Sequence, residues 1–231
     1  MIDAAERLFD RTDWWDLECR EFASLRSVSA FRLDLLRRWL PGEWGNRTVV
    51  DLGCGGGFLA VPLARAGARV LGVDTARRAL LAGMGRERTF LPVAGDLLTA
   101  PFADGSADVV LLADVLEHVV EPRLAIREAA RLLRPGGHLF VNTIHRTWRS
   151  RVLAITLGEG LGFIPRGTHR WSMFVTPDEL DVMTADSGLQ RRARTGEAPV
   201  LWRTAISRTV VLRESPSLAV GYAALFQRIS A

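Results

Sequence analysis

Short apolar runs alternate with amphipathic segments through most of the chain. Runs of aliphatic and β-branched residues predict strands at 47–51, 69–73, 89–93, 108–113 and 138–144. Apolar residues at helical spacing predict helices at 57–66, 75–83, 121–133 and 177–187. Because these strands and helices alternate through short connections, the pattern predicts an α/β fold with a doubly wound, mostly parallel sheet.

The two ends of the chain extend this alternating core. Within residues 1–46, apolar spacing at 4–8 and 31–40 predicts an N-terminal helical cap. After the last helix, strands are predicted at about 189–196 and 204–212, and an apolar segment follows at 219–226. These late segments predict an antiparallel hairpin at the sheet edge. We expect a single domain over residues 1–231.

Composition excludes several classes of protein. All 30 basic residues are Arg, the net charge is +4, and no basic run predicts nucleic-acid binding. Two cysteines, Cys19 and Cys54, give no disulfide framework, which fits a reducing compartment. The N-terminus lacks the form of a signal peptide, and no apolar run is long enough to span a bilayer. We therefore expect a cytoplasmic protein, and no feature of the sequence predicts its oligomeric state.

The first predicted strand ends in Asp51 and continues into a glycine-rich turn. Gly53, Gly55 and Gly57 have no Cβ, so the backbone can turn tightly and approach a ligand closely. The third glycine falls one position earlier than in the dinucleotide fingerprint G-x-G-x-x-G. The run D-x-G-x-G-x-G instead resembles motif I of the class I S-adenosylmethionine (SAM)-dependent methyltransferases, in which this loop contacts the methionine and ribose of SAM.

Acidic residues follow the second and third strands. Asp74, at the end of the second strand, can accept both ribose hydroxyls of SAM, or it can cap the next helix. Asp96, after the third strand, can reach the adenine amino group while Leu97 packs on the ring. The alternative for Asp96 is a loop aspartate that bonds its own backbone.

Three titratable residues follow the fourth strand. Asp114, Glu117 and His118 are at i, i+3 and i+4, which places them on one face of a helical turn. Such a group can bind Mg²⁺ or another divalent cation, or it can tune His118 as a base. The structural alternative is a turn in which Glu117 and His118 serve capping and packing.

The segment 145–176 after the fifth strand is the least regular part of the alternation. It has an apolar centre, flanking arginines and the tryptophans Trp148 and Trp171. Long inserts at this position often form a lid over the substrate. The pattern of 145–171 predicts either peripheral contact with a membrane surface or a lid helix that packs on its own domain. Thr176, Pro177 and Glu179 then predict a capped helix start.

The chain resembles the bacterial and mitochondrial O-methyltransferases of ubiquinone biosynthesis, which methylate polyprenyl catechols. The resemblance runs from about residue 9 to residue 180, and its most specific parts are Trp14–Trp15 and Pro165–His169. Further matching blocks are Asp16 with Glu21–Phe22 and Leu25, Arg32–Leu33, Asp51–Gly57, Glu117–Val119, Asn142–Thr143 with Arg146, Phe174, Pro177 and Glu179–Leu180. We expect one of the paired tryptophans to cover the ligand or another element; the alternative is an aromatic core with one exposed ring.

This resemblance implies a fold, a cofactor and a site. The fold is a Rossmann-like class I methyltransferase with a seven-stranded sheet, N-terminal helices and a lid after strand five. The implied SAM site contains Arg32, Gly53, Asp74 and Ala113, with Arg32 on the methionine carboxylate. A divalent-metal site is implied at Asp114, Glu117 and His118, where the family often has Glu first. The tail from Glu197 to Trp202 departs from the family pattern, and we expect it to shape the acceptor pocket.

The sequence therefore predicts an enzyme that transfers a methyl group from SAM to a hydroxyl of a phenol- or catechol-type small molecule. The expected acceptor is a ubiquinone-precursor-like compound or a specialised metabolite. His118 removes the hydroxyl proton, or a metal at Asp114, Glu117 and His118 holds the oxyanion. Two alternatives are an N- or C-methyltransferase on the same fold and a SAM-binding membrane adaptor without catalysis.

Overall fold

The structure is a computed structural model, and it describes residues 9–19 and 22–229. The predicted helical spacing at 4–8 and the matching residue Glu21 lie outside these residues. Eight strands form one sheet: β1 Thr48–Leu52, β2 Arg69–Asp74, β3 Phe90–Ala94, β4 Ala107–Ala113, β5 Leu133–Ile144, β6 Leu189–Pro199, β7 Leu212–Ser215 and β8 Gly221–Arg228. The helices are α1 Ala23–Trp39, α2 Ala60–Arg65, α3 Arg77–Gly83, α4 Pro122–Leu132, α5 Pro177–Ala185 and α6 Leu201–Ser207.

The strands lie in the order β3-β2-β1-β4-β5-β8-β6-β7. Pairs among β1 to β5 are parallel, whereas β8 is antiparallel to both β5 and β6, and β6 is antiparallel to β7. The predicted α/β class and mostly parallel core are therefore confirmed. The sheet has one strand more than the seven predicted, because β7 adds an edge strand beside β6.

Alternate residues of each central strand face two apolar layers, as the two-residue period of a strand requires. One layer joins Val50, Leu52, Val110 and Leu112 to α4 and α5. The other joins Val49, Val109 and Leu111 to α1 and α2. Both faces of the sheet are therefore covered. Because β1, β2 and β4 are parallel, their carboxyl ends meet at one edge of the sheet, where open α/β folds bind ligands.

The predicted strand at 204–212 is wrong over most of its length. Residues Leu201–Ser207 form helix α6, and the strand β7 begins only at Leu212. Pro199 ends β6, and it has no N–H with which to continue a ladder. The helix ends at Arg208, which has a left-handed φ of 55°. Ile206 supplies apolar character to this stretch, but its side chain is 77% exposed rather than packed in the sheet.

The segment 145–176 lies between β5 and α5. Its helix, which we call the lid helix, starts as one α-helical turn at Trp148–Ser150 and continues as a π-helix over Arg151–Glu159. A capping box fixes its start: Ser150 N donates to Thr147 Oγ1 at 3.1 Å, and Thr147 N donates to Ser150 Oγ at 3.2 Å. In the described part of the chain, no helix is both long and apolar enough to cross a bilayer.

Candidate active site

The glycine turn after β1 is held against β2. The backbone N–H groups of Gly53 and Cys54 both donate to Val73 O, at 2.8 and 3.1 Å. Gly55 has a φ of 49°, and a Cβ at this position would lie 2.4 Å from Cη2 of Trp14. The turn therefore requires glycine where Trp14 packs on it. Trp14 also belongs to an aromatic core cluster, with its ring centroid 4.6 Å from that of Phe22 and 5.3 Å from that of Phe58.

Asp74 lies directly beside the glycine turn. Its Oδ2 accepts a hydrogen bond from Gly55 N at 2.8 Å, and its Oδ1 accepts one from Ala76 N at 2.8 Å. The carboxylate thus ties β2 to the turn and also caps the following segment, which was the alternative role.

Asp51 is buried beneath the turn, with only 3% of its surface exposed. Burial raises the pKa of Asp51 to about 7, and the nearby charge of Asp74 adds to the shift. Near neutral pH this carboxyl is therefore divided between its protonated and ionised forms.

The third strand end is less enclosed. Asp96 is exposed, and its Oδ1 accepts a hydrogen bond from Leu98 N at 2.9 Å, so the structure shows the aspartate bonding its own backbone. Leu97 lines the central cavity, whereas Asp96 does not. The contact between Asp96 and adenine stays a prediction.

Arg32 is buried between two carboxylates from distant parts of the chain. Its Nη2 lies 2.9 Å from Oε2 of Glu197, and its Nη1 contacts Oδ2 of Asp114. Although burial opposes the charge, the carboxylates of Asp114 and Glu197 raise the pKa of Arg32 above its ordinary value. The guanidinium is therefore positively charged, and the two carboxylates balance its charge.

Asp114 has a left-handed φ of 55°, an uncommon backbone conformation outside glycine that is concentrated at functional sites. The second oxygen of its carboxylate, Oδ1, accepts a hydrogen bond from Asn142 Nδ2 at 3.0 Å. Arg32 and Asn142 thus hold both oxygens of Asp114 at the carboxyl end of β4.

Glu117 is only 1% exposed. Its Oε2 accepts a hydrogen bond from Thr143 Oγ1 at 2.7 Å, while its Oε1 has no hydrogen-bond partner in residues 9–19 and 22–229. Burial raises the pKa of Glu117 to about 8, with a further contribution from the charge of Asp114. This carboxyl is therefore mostly protonated at neutral pH.

The structure does not group Asp114, Glu117 and His118 as a set of metal ligands, and the cation site stays a prediction. Among the described residues, no three His, Cys, Asp or Glu side chains are grouped to hold a metal ion. The physical reason is that Asp114 is ion-paired with Arg32, while Glu117 is bonded to Thr143. Glu117 Oε1 offers one oxygen rather than a set of converging ligands.

Two histidines lie side by side at the reacting end of the site. The ring centroids of His118 and His169 are 5.8 Å apart, and the ring planes differ by 26°. Both residues line the cavity, whereas His145 does not. His145 Nδ1 instead lies 2.9 Å from Leu218 O.

One cavity of about 780 Å³ connects most of these groups. The predicted site residues on its wall are Arg32, Asp51, Gly53, Gly55, Asp74, Leu97, Ala113, Asp114, Glu117 and His118. Gly57 supports the turn from behind and is not on the wall. From the glycine turn the cavity extends past His118 to apolar lid side chains and to the tail, where Glu197, Leu201 and Leu212 complete it. The tail therefore shapes the cavity, as expected.

Sequence reasoning missed Glu197 and Glu159 as site residues. Glu197 is 2% exposed and lies in the tail, where the family pattern ends. Glu159 is 7% exposed and ends the lid helix. A signal was present in each case, because a single acid within an apolar or strand-forming run is a candidate buried charge.

Comparison with known proteins agrees with this geometry. A family described as a methyltransferase domain matches residues 50–141. The ubiquinone biosynthesis O-methyltransferase of Ralstonia nicotianae is 39% identical over 184 residues, which cover 77% of this chain and 76% of that protein. The enzyme of the same name from Ruegeria pomeroyi is 36% identical over 212 residues, which cover 84% of this chain and 85% of that protein.

Solved structures show the same fold at lower identity. A SAM-dependent methyltransferase of Thermotoga maritima superposes with a TM-score of 0.69 and 19% identity, covering 97% of this chain and 99% of that one. The magnesium protoporphyrin IX methyltransferase of Synechocystis, with bound S-adenosylhomocysteine, superposes with a TM-score of 0.63 and 21% identity. The match covers 90% of this chain and 85% of that one.

A glycine turn after β1, an acid after β2 and the strand order with antiparallel β8 define a class I SAM-dependent methyltransferase. The chain belongs to the family of ubiquinone biosynthesis O-methyltransferases. It is a SAM-dependent O-methyltransferase, and this membership favours transfer to oxygen over an N- or C-methyltransferase and over a non-catalytic adaptor.

Proposed function

We propose that this enzyme methylates a phenolic hydroxyl of a catechol-type small molecule with an apolar substituent, similar to a ubiquinone precursor. The observation that carries the proposal is the continuous cavity, which joins the SAM turn to an apolar chamber under the lid. Leu153, Leu157 and Leu161 of the lid and Leu201 of the tail line that chamber. Such walls suit an apolar aromatic substrate better than a charged amine.

In the proposed complex, SAM lies across the carboxyl ends of β1, β2 and β4. The turn at Gly53, Gly55 and Gly57 accepts the methionine and ribose, Asp74 accepts the ribose hydroxyls, and Ala113 lies along the cofactor. Arg32 binds the methionine carboxylate, for which it exchanges one of its protein partners. Asp114 is the partner that can yield, because its side chain is 25% exposed and that of Glu197 only 3%.

The reaction we propose is an in-line displacement at the methyl carbon of SAM. The acceptor oxygen forms a bond to the methyl group while the carbon–sulfur bond breaks, and sulfur keeps the electron pair. His118 takes the hydroxyl proton, since a neutral phenol is a poor nucleophile. Glu117 lies beside it as a protonated carboxyl that orients the acceptor. The cavity walls supply the alignment of oxygen and methyl group.

Mg²⁺ or another divalent cation is not part of this proposed sequence, because the arrangement of Asp114, Glu117 and His118 does not fit one. The prediction of a cation is tested by turnover in the presence of EDTA with and without added Mg²⁺. Turnover that EDTA abolishes and Mg²⁺ restores supports a cation site that forms when Arg32 leaves Asp114. Turnover that EDTA does not change contradicts the prediction that the reaction needs a cation.

We also propose that the enzyme contacts the inner face of the cytoplasmic membrane through 145–171. Trp148 is 70% exposed and Leu161 is 66% exposed on this segment, and Arg149 and Arg151 lie exposed beside them. Exposed apolar side chains with a basic rim suit an anionic bilayer surface.

The first experiment measures release of S-adenosylhomocysteine with 4-alkylcatechols, 4-alkylphenols and alkylamines as acceptors. Catechol turnover above that of the amines is the expected result, and turnover of amines alone contradicts the proposal. His118→Ala should lower kcat by about 100-fold or more, the usual contribution of a general base, while SAM affinity changes little. A variant that retains kcat within about twofold contradicts the role of His118.

A further inference from the structure

A second histidine, His169, is fixed by a buried carboxylate at the cavity wall. Oε1 of Glu159 lies 3.1 Å from Nδ1 of His169 and also accepts the backbone N–H of His169 at 2.9 Å. Oε2 of Glu159 accepts the N–H of Gly167 at 2.7 Å. One carboxylate at the end of the lid helix thus sets both the backbone and the ring of His169.

This pairing determines which ring nitrogen carries the proton. Both oxygens of Glu159 already accept backbone N–H groups, so Glu159 is the acceptor in this pair and Nδ1 of His169 is the N–H donor. Burial lowers the pKa of His169 even though Glu159 opposes this shift, so the ring is neutral at pH 7. In a neutral ring with Nδ1 protonated, Nε2 is an acceptor and cannot donate.

The two residues of this pair lie differently with respect to the cavity. His169 lines the cavity, whereas Glu159 does not. Since Glu159 holds the Nδ1 edge of the ring, the opposite edge with Nε2 is the one available to a bound molecule. Contacts on both sides limit rotation of the ring, with His118 stacked 5.8 Å away and Phe174 edge-on at 5.9 Å. The cavity therefore presents two neighbouring imidazoles, one of which is restricted to accepting a proton in a hydrogen bond.

We propose that His169, positioned by Glu159, is a specificity-determining residue whose Nε2 accepts a hydrogen bond from the hydroxyl adjacent to the one that is methylated. The inference rests on the proposed function, and it names the side chain that recognises the second hydroxyl of the catechol. Two stacked imidazoles suit two oxygens on neighbouring carbons of one ring. His118 faces the reacting hydroxyl, and His169 faces its neighbour.

This arrangement also limits the enzyme to one methyl transfer. A monomethylated product would have to turn over to present its remaining hydroxyl to His118, which would place the methoxy oxygen against Nε2 of His169. A methoxy oxygen has no proton to donate, so the two lone pairs would face each other without a hydrogen bond. Sites built to bond a hydroxyl discriminate strongly against analogues that lack it.

The test compares 4-alkylcatechol with 4-alkylphenol in wild type and in His169→Phe, which retains an aromatic ring between His118 and Phe174 but lacks Nε2. Binding to enzyme saturated with S-adenosylhomocysteine is measured by calorimetry. The ratio of the two dissociation constants should fall about tenfold in the variant. Mass spectrometry should show dimethylated product from the variant and only monomethylated product from wild type.

Glu159→Gln is the second variant, because its amide can donate to Nδ1 and thereby release the fixed tautomer; it should show the same changes in smaller degree. If His169→Phe does not bind S-adenosylhomocysteine, which would show that it fails to fold, Glu159→Gln is used for the test in its place. The matched control is His138→Gln at the opposite end of the sheet, which should leave the ratio at the wild-type value.

An unchanged binding ratio in a folded His169→Phe overturns the inference. An equal loss of catechol and phenol turnover at a constant binding ratio also overturns it, since that result describes a general base. Absence of catechol turnover in wild type contradicts the proposed function alone, because the binding ratio reports on His169 without catalysis.

Discussion

At the scale of single residues, the unusual feature of the site is that it buries acidic side chains. Asp51 and Glu117 are both nearly inaccessible, and burial raises the pKa of each. Among the described residues neither carboxyl forms an ion pair, whereas Glu197 is paired with Arg32. The sulfonium of SAM carries a positive charge that can act as the missing partner of such carboxyl groups. The free energy that the protein loses by burying them without a partner therefore favours binding of cationic SAM.

The raised pKa of Asp51 predicts a pH-dependent stability. Folded Asp51 keeps its proton up to a pKa of about 7, whereas the unfolded chain releases it near its ordinary value, so wild-type stability falls as pH rises through that window. Asp51→Asn lacks this loss. The unfolding free energy of Asp51→Asn is compared with that of wild type at each pH. Its excess over wild type should grow by about 3 kcal/mol from pH 5 to pH 8, because about two pH units separate pH 5 from the folded-state pKa of Asp51.

Urea denaturation of both proteins at pH 5 and pH 8 measures this change. The groups common to both proteins cancel in the difference, so its dependence on pH reports on Asp51. A difference that is equal at the two pH values contradicts the raised pKa.

How far single site residues could be predicted depended on the distance to their partners in sequence. Gly55 and Asp74 followed from a local pattern at the ends of two strands. Arg32 came from the family resemblance, but its partner Glu197 lies 165 residues away, in the part of the chain with no matching motif. No local period in the sequence encodes such a pairing, since it arises only when the tail folds over the cavity.

At the scale of elements, the strands β1 to β5 and the helices between them could be predicted because burial imposes a period on each. The lid helix was harder, because a π-helix has i→i+5 hydrogen bonds and does not follow the 3.6-residue period by which α-helices are predicted. Helix α6 was predicted as a strand, because side chains such as Ile206 favour strands when burial is unknown.

The start of α5 offers a test of a local signal. Its capping box is formed as predicted: Glu179 N donates to Thr176 Oγ1 at 3.2 Å, and Thr176 N donates to Glu179 Oε2 at 2.8 Å. Thr176→Ala should lower the unfolding free energy by about 1 kcal/mol. The control Thr156→Ala, exposed on the lid helix, should change it by less than about 0.5 kcal/mol in urea denaturation. Equal effects of the two substitutions would show that the cap contributes nothing specific.

At the scale of the whole molecule, the cavity runs from the glycine turn to a region with several exposed apolar side chains. Its far end is bounded by the lid and by α6, and the exposed residues Trp148, Leu161, Trp202 and Ile206 belong to these two regions. The opposite end of the sheet order, at β3, carries the less exposed Leu91. The proposed membrane contact would therefore let an acceptor with an apolar tail enter the chamber directly from a bilayer.

Vesicle binding tests this orientation. The double substitution Trp148→Ser with Leu161→Ser should weaken partition to phosphatidylglycerol vesicles by about tenfold or more, because each side chain loses the transfer free energy of its apolar surface. Leu91→Ser is the matched control at the far edge and should leave partition unchanged. Replacing Arg149 and Arg151 by Gln should weaken binding at low salt more than at high salt, since screening already removes that attraction. Equal weakening by Leu91→Ser would assign the binding to general hydrophobicity instead of the lid, and unchanged binding of the double variant would exclude 145–171 as the contact.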